Sequence, residues 1–207
     1  VYGLGLGIVY LLWRGWTPAF GRWSYWSCAS IACLLGVGLA AVMLFPATEL
    51  APLSVRAEIS MDQFLSYSLR SRELPRLVFP YIYGGLWSPW SKTSSHFFGR
   101  SSLTESTGYV GVIPLVLAGV GLALTIRSRT GRFWGVVVVF VLLVAQAKDL
   151  FFARLLYYIP AYGRFRIQPR HFVEFSLAAS ALAGLGICEL SRMERRQRLR
   201  ILTWGLA

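Results

Sequence analysis

Apolar residues in this chain fall in long unbroken runs, not in alternation with polar ones. The runs cover about residues 1–13, 23–45, 108–126, 133–148 and 172–190, and a further one opens at 201–207. A helix rises 1.5 Å per residue, so a hydrocarbon layer of roughly 30 Å takes about 20 mainly apolar residues to cross. Each run is therefore expected to be a membrane-crossing helix, the first shortened at its start. Backbone polar groups inside a bilayer must be satisfied within the segment, and the alternating pattern that a closed barrel needs is absent. The fold class expected is all-α, a multi-pass transmembrane helical bundle over 1–207 treated as one transmembrane region.

Charge orients that bundle. The short connections RGWTPAFGR (14–22), RSRTGR (127–132) and SRMERRQRLR (191–200) carry two, three and five arginines against the single Glu194. If every run crosses once they lie on one side, and the positive-inside tendency makes that side cytoplasmic. The segments 46–107 and 149–171 then face outward.

In the first outward segment, SMDQFLSYSLRSREL has Ser60 and Gln63 at capping-box spacing, followed by Phe64, Leu65 and Leu69. A short amphipathic helix along the interface is expected there. Pro75, Pro80, Gly84, Gly85 and Pro89, with Trp87 and Trp90, predict an aromatic-rich loop at headgroup depth. In the second segment, LFFARLLYYIPAYGRFRIQPR, Pro160 and Pro169 limit any helix, which predicts a broken or re-entrant element.

Composition agrees with a membrane protein: 56% of residues are hydrophobic, 15% aromatic and only 14% charged. The three cysteines lie inside apolar runs with no CxxC spacing, which argues against a metal site or a disulfide framework. GLGLG at 3–7 lacks the strand and acidic context of a dinucleotide fingerprint. Small residues at Gly36, Gly38 and Ala40, at Gly119 and Gly121, and at Ala179, Ala183, Gly184 and Gly186 read instead as places where helices approach closely. No nucleic-acid partner is expected. The chain starts without Met on an apolar run that has no basic stretch before it, so it reads as an internal piece of a longer protein and not as a signal peptide.

The residues that carry candidate chemistry sit on the outward side. YGRFRIQPRH (162–171) brings Arg164, Arg166, Arg170 and His171 together with no acidic partner, and Arg154 precedes them. Arginine there runs against the charge rule, and its planar fork of donors suits a phosphate or pyrophosphate. The bland alternative is that these side chains snorkel to ordinary headgroups or pair with Glu105, Asp149 or Glu174. Glu49 is a candidate for a sugar hydroxyl or for a salt bridge to Arg56, whereas Glu105, just before an apolar run, also suits a helix N-terminus. Glu174 lies one turn inside its run, where an acid is costly unless paired, and an ion pair with Arg170 is the simpler expectation. His171 and His96 show no partner arrangement of the kind a nucleophilic triad needs.

Four stretches, FPATELAPLSVRAEIS, LPRLVFPYIYGG, ESTGYVGVIPLVLAGVGL and YYIPAYGRFRIQPRHFVEFSLAASALAGLGI, follow one another over about residues 44 to 187. In that order they resemble the bacterial YfhO family, multi-pass membrane proteins grouped with polyprenyl-phosphate-dependent glycosyltransferases of the GT-C type. The resemblance implies transfer of a sugar from a polyprenyl-phosphate donor to a cell-envelope acceptor at the outer face of the bacterial cytoplasmic membrane. It implies a catalytic acid on an outward loop that precedes this stretch, so no catalytic residue is assigned here. To substrate binding it lends Glu49, Arg56, Glu105, Tyr109, Arg166 and Arg170, with Pro169 beside them and Arg164 from the same basic stretch. Ile167 and Gln168 stand where the family more often shows a Val-Pro type pairing.

Two other functions compete. A transporter or lipid flippase would place its ionisable residues near the middle of broken crossings, ideally in two repeated halves, and neither feature is visible. A non-catalytic membrane scaffold would use its charges only to anchor to lipid. The lipid bilayer is a partner under all three readings; no cofactor and no metal is assigned.

Overall fold

The computed structural model describes residues 2–16, 21–50, 53, 59–65, 68–85, 107–146, 151–159, 162 and 168–193. Those residues are helical or irregular, with no strand among them. The chain divides into two compact units, Val1–Ser60 and Met61–Ala207.

The first unit holds α1 (Tyr2–Gly15) and α2 (Arg22–Leu50). They are stitched near their connection, where the Tyr25 hydroxyl donates to the Leu11 carbonyl at 2.9 Å. Gly15 lies so close to the Trp26 and Tyr25 rings that a Cβ would meet Trp26 at 2.5 Å. No charged side chain lies between Arg22 and Glu49. At 29 residues α2 is about 43 Å long. None of its residues is buried, and Leu34, Leu39, Val42 and Met43 are each more than 70% exposed. Removing such a side chain from water is worth about 1.5–3 kcal/mol, so a helix apolar on every face calls for an apolar medium or partner. The apolar run was expected to end at residue 45. The helix instead continues through Pro46 to Leu50, and Thr48 turns its hydroxyl back to the Phe45 carbonyl at 2.8 Å.

The second unit is built on three helices, α4 (Val112–Thr125), α5 (Arg129–Ala145) and α7 (Phe172–Arg192). The most extensive pairing is between α4 and α7, and α5 packs on α7 as well. The first pairing depends on two glycines, since a Cβ on Gly121 would fall 1.9 Å from the Leu182 carbonyl oxygen and one on Gly186 would fall 2.6 Å from that of Leu117. Gly36, Gly38, Gly119 and Gly184, which read alike in the sequence, face open space. Ala178, Ala179, Leu182, Val141 and Val144 form the buried centre. The turn between α4 and α5 is closed by Ser128, whose hydroxyl accepts from the Gly131 amide at 3.0 Å, so α5 starts four residues before the expected boundary at 133.

Two helical segments, Arg22–Leu50 and Pro169–Arg192, are long and apolar enough to cross a membrane. Five crossings were expected. Residues 3–15 and α4 are apolar but shorter, and at 14 residues α4 reaches only about 21 Å. The run predicted over 108–126 loses its first four residues because Gly111 takes φ +98° and Gly108 is pressed between Leu77 and Phe172, where a Cβ would meet both at 2.8 Å. Residues 201–207 lie outside the described set.

The two segments assigned to the outward side meet at one end of this bundle, where α4 and α7 begin and α5 ends. Residues 61–85 contribute α3 (Met61–Leu65) and a 3-10 helix (Ser71–Leu77). Residues 151–171 contribute α6 (Phe151–Tyr157) and a 3-10 turn (Gln168–His171). The short helix expected after Ser60 is present, and Phe64 and Leu65 are buried. Leu69 is buried too but outside that helix, because its amide donates to the Ala145 carbonyl at 2.8 Å and caps the end of α5. The second segment is broken as expected, with α6 ending three residues before Pro160.

Candidate functional site

The polar centre of this end is His171. It is the last residue of the 3-10 turn and the N-cap of α7, and it is only 4% exposed. Three residues on, in the first turn of α7, Glu174 is 5% exposed, and its Oε2 lies 2.5 Å from His171 Nδ1. On the other side of the ring the Tyr162 hydroxyl is 2.5 Å from Nε2. An ionised carboxylate can only accept, so Nδ1 donates to Glu174, and the second ring nitrogen, Nε2, shares a hydrogen bond with the Tyr162 hydroxyl. The three side chains form a chain from a half-buried phenol, through imidazole, to a buried acid.

Packing holds this chain rigidly. The Tyr162 ring lies over the imidazole with centroids 5.8 Å apart and planes 26° apart, and Phe140 of α5 meets the imidazole edge-on at 6.4 Å. Phe64 of α3 is fully buried and packs edge to face against both Tyr157 and Tyr162. Phe64 of the first outward segment and Tyr157 and Tyr162 of the second thus meet in one cluster, whereas Trp87 and Trp90 lie outside the described residues. Glu174 also sits where the unpaired amides of the α7 N-terminus favour negative charge. Burying an acid in that turn is thereby compensated twice, by a helix end and by a charge-assisted hydrogen bond.

A second buried polar pair lies in the Ser71–Leu77 helix. Arg76 is 1% exposed, with Nη1 3.6 Å from Glu73 Oε2. Burial pulls the guanidinium below its ordinary value, and the Glu73 carboxylate acts in the opposite direction. The segment is tied further by Tyr83, whose hydroxyl donates to the Arg72 carbonyl at 2.6 Å. Leu77, at the end of the same helix, reaches Gly108, which also touches Phe172.

The residues picked out from the sequence distribute unevenly over this frame. Arg170 is half-buried in the 3-10 turn immediately before His171. Tyr109 is exposed in the stretch leading into α4, beside Gly108 and hence at the same end. Glu49 is in the last turn of α2, in the other unit. Arg56, Glu105, Arg164 and Arg166 lie outside the described residues, as does His96. The expected ion pair between Glu174 and Arg170 is replaced by the bond to His171, because residues 168–171 wind as a 3-10 turn and break the helical face the two were to share. The partner arrangement around His171 was not foreseen. The HFVE spacing of three residues was the available signal for its carboxylate half, while Tyr162 comes from nine residues upstream.

Among the described residues no cluster of three or more His, Cys, Asp or Glu is arranged to hold a metal. No protein-family model, characterised protein or solved structure matches the chain. What the structure defines is thus a class, an all-helical protein with two helices of membrane-spanning length and a Tyr–His–Glu chain, its His and Glu buried, at one end of its second unit's bundle.

Proposed function

We propose that this chain is the membrane-embedded part of a glycosyltransferase, or of a partner subunit of one, that moves a sugar from a polyprenyl-phosphate donor to a cell-envelope acceptor at the outer face of the bacterial cytoplasmic membrane. The observation that carries the reading is the meeting of Phe64 from one outward segment with Tyr157 and Tyr162 from the other at one end of an apolar bundle, around a packed His171–Glu174 pair that adjoins Arg170. A polyprenyl-phosphate donor offers a phosphate at headgroup depth and an apolar tail beneath it. Arginine at that depth is suited to the charge that develops on the phosphate as the sugar departs, and it needs little rearrangement when held on a fixed turn.

Arg170 and the His171 cluster take their proposed roles from where they lie, and the other residues take theirs from the family resemblance. Arg170, with Arg164 and Arg166 from the same stretch, contacts the phosphate. His171, Tyr162 and Glu174 are positioning residues that lock the turn carrying Arg170 against α7. Tyr109, exposed at the same end, is available to the donor or the acceptor, and Glu49, Arg56 and Glu105 complete the set that the family resemblance suggests. Transport is the weaker reading, because the buried ionisable pair of α7 sits at the helix's first turn and not at mid-span, where transporters hold substrate.

The test uses the full-length protein in its native membrane, with incorporation of a radiolabelled sugar from the lipid-linked pool as the readout. Arg166→Ala and Arg170→Ala are each expected to abolish transfer while leaving membrane insertion intact. Wild-type transfer by both variants would sink the phosphate role.

A further inference from the structure

An apolar groove of about 520 Å³ runs along the outside of the α4–α5 hairpin, lined by Leu122, Ile126, Val136, Val139, Phe140 and Leu143, with Arg132 at one end. On α5 the lining positions 132, 136, 139, 140 and 143 form one helical stripe about 16 Å long. The stripe starts at the arginine-rich turn and ends near the His171 cluster, where Phe140 packs its other side against the imidazole. Val136 and Val139 are more than half exposed, and Arg132 is exposed as well.

We infer that this groove is a site for an anionic phospholipid, with one acyl chain along the α5 stripe and the headgroup phosphate at Arg132. Charge complementarity selects this occupant over a purely apolar one. Arg132 lines the end of the groove, Arg127 and Arg129 lie within six residues of it in the turn sequence, and the hairpin sequence from 112 to 146 contains no carboxylate at all. Arginine matches phosphate geometry through its planar donor fork. Phe133 and Trp134, edge to face at 5.0 Å beside Arg132, have the amphipathic aromatic character found at headgroup level. A basic cluster next to a hydrophobic helix is the pattern that anionic headgroups recognise on the cytoplasmic leaflet, the side to which the arginine-rich connections assign this turn. The Arg132 end of the groove, where the headgroup would sit, is at the opposite end of the α4–α5 hairpin from the proposed donor site.

The inference rests on the reading of the chain as a membrane protein, and the experiment separates the two. Full-length protein is first tested for resistance to carbonate extraction, then purified and exposed to equal amounts of phosphatidylglycerol and phosphatidylcholine, with retained lipid counted by native mass spectrometry. The wild type is expected to retain phosphatidylglycerol preferentially. Arg132→Gln is expected to lower that preference about fivefold, and Val139→Trp, which fills the groove from an exposed position, is expected to lose the lipid whatever its headgroup. Extraction by carbonate would overturn both the membrane reading and the site. A chain that stays in the membrane but shows no preference, or an Arg132→Gln variant that keeps it, overturns the site alone. So does a photocrosslinker at residue 139 that captures a protein segment or a second copy of the chain in place of lipid.

Discussion

Gly119 and Gly121 stand two residues apart on α4, and alanine at each is expected to have opposite effects. A Cβ at Gly121 falls 1.9 Å from the Leu182 carbonyl oxygen and 2.9 Å from the Gly186 amide nitrogen, both backbone atoms of α7 that cannot swing aside. Carbon atoms in good contact stand roughly 3.5–4 Å from their neighbours, so the methyl must displace α4 from α7 by about 1.5 Å. Shifts of that kind in a well-packed interface cost about 1–3 kcal/mol, and backbone contact on both sides places this one at the upper end. Replacing a mid-helix glycine by alanine returns about 1 kcal/mol of helix propensity, so the net loss is about 2 kcal/mol. At Gly119 nothing lies within 4 Å of the added Cβ, and only the propensity gain of up to about 1 kcal/mol remains. Thermal unfolding in detergent, followed by tryptophan fluorescence, should rank Gly119→Ala at or above the wild type and Gly121→Ala below it by several degrees. Equal stability of the two variants would refute the close α4–α7 approach.

Two further predictions concern buried polar groups. Glu174→Gln removes the charged acceptor of His171 and is expected to destabilise by about 1–3 kcal/mol; in a double-mutant cycle with His171→Phe the two losses should fail to add, and simple additivity would mean that the residues are not coupled. Glu73→Gln takes away the carboxylate facing the buried Arg76 guanidinium and is expected to cost about 3–5 kcal/mol in denaturant titration. Replacing Arg76 by Met in the same background should recover most of that loss, because the buried charge is then gone.

Much of the helical framework can be read directly from the apolar runs. The runs at 1–13, 23–45 and 172–190 correspond to α1, α2 and α7 with ends displaced by a few residues. The start of α4 moved because residues 107–111 are held off the helix by a positive-φ glycine and by the contact of Gly108 with Leu77 and Phe172, neither of which leaves a mark in a hydropathy pattern. The 3-10 helix at 71–77 was invisible for a related reason. Its Pro75 and mixed polarity suggest a loop, and it is the burial of Arg76 and Glu73 that makes it a packed element.

The site divides the same way. That basic and aromatic residues crowd into 149–171 is a property of the sequence, and so is the capacity of long apolar runs to form helices whose backbone groups are satisfied within the segment. Such features are local: they depend on which residues are near one another along the chain. Which glycine of a pair admits a neighbouring helix is a question of facing. So is the choice of His171 over Arg170 as partner to Glu174, and the meeting of Phe64 with Tyr157 and Tyr162 across nearly a hundred residues. Those were decided by tertiary packing, because burial leaves a polar group only the partners that the fold brings within hydrogen-bond reach.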